Sequence, residues 1–158
     1  NPFRGRKRNL YEGGVRVPGL LEWPVNIPAG GKTDFPVVTS DYFPTVAAVI
    51  QKEFPERTYD GIVVMPAIMG KKKEREKKIT FLYSGNASLV GQRYKLIREG
   101  GGKRRKATGE AGYELYDLIN DPSETKNIAK DKPDVAAEMK AELIAMETEL
   151  RAAAKSDG

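Results

Sequence analysis

The chain contains no cysteine and no histidine. The first absence excludes disulfides, thiolate nucleophiles and cysteine-based metal sites. The second removes imidazole as a base or a metal ligand anywhere in these 158 residues. No apolar run approaches the ~20 residues that span a bilayer, so no membrane span is expected. The opening Asn1-Pro-Phe-Arg-Gly-Arg-Lys-Arg8 is basic, yet no apolar stretch of signal-peptide type follows it. It also lacks an initiator Met, which leads to the expectation that Asn1 is not the natural beginning.

What the chain does have is enough apolar material for a modest core, with charge distributed unevenly around it. The net charge of +5 is concentrated in three places. Arg4, Arg6, Lys7 and Arg8 are clustered at the start. Lys71–Lys78 carries six positive and two negative side chains, and Arg98–Lys106 five positive and one negative. The remainder is net acidic. No helix-turn-helix, zinc module or aromatic platform accompanies the basic runs, so nucleic acid is not expected as a partner. Both internal runs read as solvated loops.

Along the chain, Val15–Trp23 has the apolar density of a buried strand, interrupted by Pro18-Gly19. Residues 24–32 read as a loop. Ser40 is a candidate helix N-cap, Asp41 suits the first turn, and Pro44 is tolerable that early. Tyr42, Phe43, Val46, Val49 and Ile50 keep helical spacing, which predicts a helix to about Lys52 with that face buried. Asp60-Gly61 is a turn signal. Four short strands are then expected at Ile79–Tyr83, Ala87–Val90, Tyr94–Ile97 and Tyr113–Leu118, the last two joined by a glycine- and lysine-rich hairpin loop. A final helix begins near Pro133, with Asp131 as its cap. Val135, Met139, Leu143, Met146 and Leu150 form one stripe along it. This succession predicts an α+β arrangement, a small antiparallel sheet packed by a C-terminal helix.

Three stretches, in order, resemble the sulfatase family of the alkaline-phosphatase-like superfamily. The first is Arg4-Gly-Arg-Lys-Arg-Asn-Leu-Tyr-Glu-Gly-Gly-Val-Arg-Val-Pro18, similar to a lysine-containing loop leading into an aromatic-Glu-Gly-Gly-x-Arg-x-Pro segment. The second, Thr39-Ser-Asp-Tyr-Phe-Pro-Thr45, is similar to the family's Asp-x-Phe-Pro-Thr helix start. The third combines Arg93-Tyr-Lys-Leu96 with Glu114-Leu-Tyr-Asp-Leu-Ile-Asn-Asp-Pro-Ser-Glu-Thr-Lys-Asn127, which resembles the closing signature of a strand followed by an Asp-Pro-x-Glu turn. The resemblance implies that residues 1–70 are the C-terminal end of an α/β catalytic domain. Residues 71–158 are then the C-terminal subdomain. Val15–Trp23 is expected to insert into a larger sheet made by an upstream segment.

The resemblance also assigns roles. Lys7 matches the lysine that contacts the sulfate group, and a fixed ammonium is suited to stabilising charge that develops there. Arg6 and Arg8 are weaker candidates for substrate contact, because exposed arginines mostly face water. Many members carry Gly and then Ser or Thr after the lysine, where this chain has Arg8, Asn9 and Leu10. Gly13-Gly14 suits a tight turn or a close backbone approach, with Glu12 and Arg16 as a pair bracing it.

The family's nucleophile is a formylglycine made within a Cys/Ser-x-Pro-x-Arg motif. There is no Cys, and none of Ser40, Ser84, Ser88, Ser123 or Ser156 begins that motif. Calcium ligands are expected upstream, since a hard cation needs several converging oxygens. Asp41 and Asp60 read instead as cap and turn residues. Calcium and formylglycine therefore belong to the complete enzyme, with no metal ligand expected in this segment, which alone is expected to be inactive. Its partners are a sulfated small molecule or carbohydrate and the missing N-terminal catalytic segment. A periplasmic or secreted location follows from the resemblance alone. The competing reading is a non-catalytic basic module that binds sulfated polysaccharide or packs on a catalytic partner.

Overall fold

Leu89, Leu96 and Leu115 stand directly opposite one another on three neighbouring strands, and each is fully buried. They mark the centre of the larger of two compact units in the computed structural model, which describes residues 2–53, 59–100 and 112–156. One unit joins the residues up to Val17 to those from Ile79 onward, and the other is Pro18–Lys78.

In the larger unit the chain begins with an extended segment and a single helical turn, α1 (Glu12–Val15). The sheet follows as a meander: β1 (Ile79–Tyr83), β2 (Asn86–Val90), β3 (Tyr94–Arg98) and β4 (Tyr113–Asp117). All neighbours are antiparallel, in the order β1-β2-β3-β4. Because side chains alternate across a strand, each strand offers two faces. One carries Ala87, Leu89, Leu96 and Leu115 and is covered by the C-terminal helix (Pro133–Ser156) through Met139 and Leu143. Val135 and Ala136 pack at the margin. The expected stripe is therefore the buried one, and the α+β arrangement is the one observed.

The opposite face carries Lys95, Ile97, Glu114 and Tyr116. Residues from the N-terminal segment cover it, with Tyr11, Ile97 and Tyr116 forming a small cluster. This explains why compactness divides the chain near Val17 and Ile79, whereas sequence reading set a boundary at about residue 70. The hairpin loop expected between β3 and β4 falls largely on 101–111, outside the described residues. Asp131 lies two residues before Pro133, where the helix begins, and pairs with Lys126 at 3.2 Å.

The smaller unit holds a turn of 3-10 helix (Thr39–Asp41), α2 (Tyr42–Val49) and α3 (Met65–Ile68). Phe35, Val64 and Ala67 form its core. Two expectations are not met within the described residues. Of Val15–Trp23, expected as a strand in a sheet made by an upstream segment, Val15 ends α1 and residues 16–23 form no strand in this chain, with Val17, Leu20 and Leu21 exposed. Their apolar density has no packing surface within the described residues, and density alone does not create one. In α2 the buried residues are Pro44, Thr45 and Ala47, while Tyr42, Phe43, Val46, Val49 and Ile50 all face outward. The inward side is chosen by a polar contact, since Thr45 Oγ1 accepts the Val64 N–H at 3.0 Å. With that bond fixed, the bulky side of the helix points away.

Candidate functional site

Arg6–Asn9 closes a backbone turn with Lys7 and Arg8 at its tip. The Asn9 N–H donates to the Arg6 carbonyl at 2.8 Å, and the Arg6 N–H donates to Asn9 Oδ1 at 3.0 Å. Arg8 sits at φ 78°, a left-handed conformation that ordinarily favours glycine. Asn9 thus ties the turn from both sides while Lys7 and Arg8 project into solvent. Among the described residues, the Lys7 ammonium has no hydrogen-bond or ion-pair partner. The structure brings Arg6, Lys7 and Arg8 together on one exposed turn, and all three are solvent-facing.

Beneath the turn the backbone is tightly folded. The Gly13 N–H donates to the Arg4 carbonyl at 2.7 Å. A Cβ on Gly13 would lie 2.5 Å from that oxygen, and one on Gly14 would lie 2.1 Å from the Asn9 carbonyl. Neither distance is compatible with a side chain. The two glycines are thus required by close approach of the lysine-bearing turn, as the sequence leads one to expect.

The base of the turn is attached to the sheet through charge. Lys95 Nζ on β3 lies 2.9 Å from Glu12 Oε1 on α1 and 2.9 Å from Glu124 Oε1, just beyond β4. The latter is an ion-pair contact without hydrogen-bond alignment. The Glu12 backbone N–H closes the ring by donating to Glu124 Oε2 at 2.6 Å. All three residues are buried. Burial pushes the Glu124 carboxyl up from its usual range, while Lys95 and the Glu12 N–H pull it down. Arg16 adds a looser contact to Glu12 at 3.6 Å, so the expected bracing pair exists but is secondary to Lys95.

A second attachment runs through Arg4. Its guanidinium donates to the hydroxyls of Tyr116 and Tyr11 and lies 4.0 Å from the Tyr11 ring centroid. Both hydroxyls in turn donate to Glu114 Oε2, at 2.6 Å from Tyr11 and 2.7 Å from Tyr116. Burial and that donation push both phenols up, so they remain neutral donors at physiological pH. Sequence reading did not single out Arg4, Lys95 or Glu114 for these contacts. The available signal was Lys95 within Tyr-Lys-Leu-Ile, a lysine on a strand whose neighbours are all apolar or aromatic.

In the smaller unit, Asp41 is more than a cap. It is fully buried and receives two hydrogen bonds from Arg75, at 2.8 and 3.0 Å. It also accepts the backbone N–H groups of Val38 and Ile62. The basic run 71–78 is accordingly not a simple solvated loop, since Arg75 is buried within it. Lys77 is also engaged, donating to the Tyr59 carbonyl at 2.6 Å. Asp60 stands at a bend, consistent with its turn signal.

An antiparallel four-stranded sheet carries one long helix on one face and has the lysine turn braced against the other, and this arrangement is shared with known proteins. A family model described as N-sulphoglucosamine sulphohydrolase, C-terminal, matches residues 5–149, and the chain belongs to that family. Human steryl-sulfatase is 43% identical over 93 residues, which are 58% of this chain and 16% of that protein. The N-acetylgalactosamine-6-O-sulfatase of Bacteroides thetaiotaomicron is 27% identical over 146 residues, or 87% and 28% of the two chains. Among solved structures, a sulfatase from the multiple-glycosaminoglycan metabolism of Bacteroides thetaiotaomicron superposes with a TM-score of 0.78 at 26% identity. It covers 93% of this chain and 32% of its own. Ps i-CgsB in complex with k-i-k-neocarrahexaose gives a TM-score of 0.77 at 25% identity, covering 92% and 32%. The chain thus spans about a sixth to a third of the relatives it matches.

Proposed function

We propose that the complete protein hydrolyses sulfate esters and that this chain supplies Lys7 to the sulfate group. The observation that carries this reading is the exposed Lys7 ammonium, without a partner among the described residues, on a turn whose base is held by buried charge. A fixed ammonium is worth most where negative charge develops, here on the sulfate oxygens and the departing oxygen as the S–O bond breaks. Arg6 and Arg8 flank it and raise the local positive potential that attracts an anionic substrate. Sulfated small molecules or carbohydrates are the substrate class, in keeping with the names of the relatives.

In this reading residues 1–70 are the end of a catalytic domain completed by an upstream segment. The exposed apolar side of α2 and the apolar residues 17–25 support that, because large apolar surface is normally covered. Formylglycine and calcium belong to that upstream segment. Among the described residues no group of three or more His, Cys, Asp or Glu is placed to hold a metal. Among them, too, no helix is long and apolar enough to cross a membrane. A periplasmic or secreted location is part of the proposal.

The test is turnover of a small aryl sulfate by the full-length protein. Lys7→Ala is expected to lower kcat/KM by ~10²–10³. Lys7→Arg recovers little, because a planar fork does not replace a compact charge. Lys72→Ala, from a lysine paired with Glu76 at 3.1 Å, leaves the rate unchanged. Wild-type activity of Lys7→Ala overturns the assignment.

A further inference from the structure

We propose that Lys95, Glu12 and Glu124 are positioning residues for Lys7, acting as a buried ionic clamp that sets the height and orientation of the lysine turn. This rests on the reading of Lys7 as the sulfate contact. The three side chains come from separate places in the chain: α1, β3 and the turn after β4. Together they fasten the segment bearing Lys7 to the sheet.

Three observations support a device rather than incidental packing. First, the clamp holds two carboxylates and one ammonium in a site from which water is excluded. Such groups are costly to bury and stabilise a fold less than apolar side chains of similar volume. A site built only for stability is better served by leucine or methionine. Second, Glu124 adopts φ 55°, a left-handed conformation that is unfavourable for a residue with a side chain. Glycine fits that backbone better but provides no carboxylate for Lys95 or for the Glu12 N–H. Third, the clamp grips the backbone as well as a side chain, since the Glu12 N–H is held at 2.6 Å. That residue directly precedes Gly13, whose N–H donates to the Arg4 carbonyl at 2.7 Å, and Gly14, where the Asn9 and Arg6 carbonyls occupy the place a Cβ would take. Displacement at Glu12 is therefore transmitted to the turn through atoms in contact. The Arg4 contacts hold the near side of the same turn, and the clamp holds the far side.

The experiment is a double-mutant cycle in the full-length protein, with Glu124→Gln and Lys7→Ala alone and together, reading kcat and KM separately on an aryl sulfate. Glu124→Gln keeps the shape and an acceptor for the Glu12 N–H while removing the charge that faces Lys95. The expected result is a loss of about ten- to a hundredfold, borne mainly by kcat, as follows when a reacting group is misplaced by about an ångström. In the Lys7→Ala background the same substitution is expected to cost less than twofold, because there is no ammonium left to misplace. A loss of equal size in both backgrounds overturns the positioning role, as does no loss in either. If Lys7→Ala alone is silent, the reading of Lys7 itself falls. Should Glu124→Gln fail to accumulate as folded protein, Glu12→Gln enters the same cycle with the same expected outcomes.

Discussion

Arg75 meets Asp41 through two side-chain hydrogen bonds of 2.8 and 3.0 Å, with the two side chains 1% and 0% exposed. Arg75 is the one arginine in the run 71–78, whose other basic residues are lysines, and its planar fork suits the two-pronged contact with a carboxylate. The pair joins residues 34 apart in the chain and orders the start of α2, because the same carboxylate also accepts the N–H groups of Val38 and Ile62.

Removing the charge from Asp41 takes from the buried guanidinium the carboxylate that it meets with two hydrogen bonds. Asp41→Asn is expected to destabilise the protein by about 3 kcal/mol or more, the scale for breaking a buried pair by one partner. Asp34→Asn, at an exposed position seven residues earlier, is expected to stay within about 0.5 kcal/mol. Denaturant unfolding of both variants checks the contrast. Equal midpoints count against the pair as an organising contact.

Gly14 and Gly19 offer a matched comparison. A Cβ at Gly14 would stand 2.1 Å from the Asn9 carbonyl, while one at Gly19 would meet nothing within 4 Å. Gly14→Ala is expected to lower the thermal midpoint by several degrees, as for a loss of about 1–3 kcal/mol by forced displacement of packed atoms. Gly19→Ala is expected to leave it unchanged. Hydrogen exchange at the Asn9 and Gly13 amides in Gly14→Ala then shows whether the loss is local to the lysine turn.

Acid stability should carry the signature of Asp117. Donation from Arg93, at 2.7 and 3.0 Å, is the largest cause that lowers its carboxyl to about 2, with Asn120 adding to it. The folded value lies below the unfolded value of 3.8. Stability from this group is thus fully present above about pH 4 and is lost as pH falls through about 2. Asp117→Asn is expected to flatten that part of the stability curve while leaving the slope above pH 5 as it was. Titration of the Asp117 carboxyl by carbon-detected NMR gives the value directly. A midpoint near 4 sinks the prediction.

The strands and the last helix were legible because their information is local. Alternation and turn residues bound β1 to β4 within a residue or two, and the stripe from Val135 to Leu150 requires no knowledge of what it covers. The face of α2 was not legible. Periodicity reports which side of a helix is apolar, but Thr45 and its bond to Val64 decide which side turns inward. Residues 16–23 form no strand in this chain for a related reason, since apolar density reports a demand for cover and not its supply. At the candidate site, the turn and its glycines were readable from spacing and resemblance. The clamp was not, because Lys95 is matched with partners 83 residues before it and 29 after it, a pairing that no local window contains.

The two-faced sheet also has a consequence for the order in which the protein is made. The lysine turn leaves the ribosome before its partners do: the strand bearing Lys95 emerges 83 residues after Glu12, and Glu124 only after 112. At about 5–20 residues per second, Glu12 waits on the order of ten seconds for its partners. During that interval its carboxylate is hydrated and its segment lacks the sheet face that later covers it. The lysine turn is thus made well before it acquires these neighbours. A synthesis halted anywhere before β4 releases the turn without Glu124 and without the completed sheet that holds it in place.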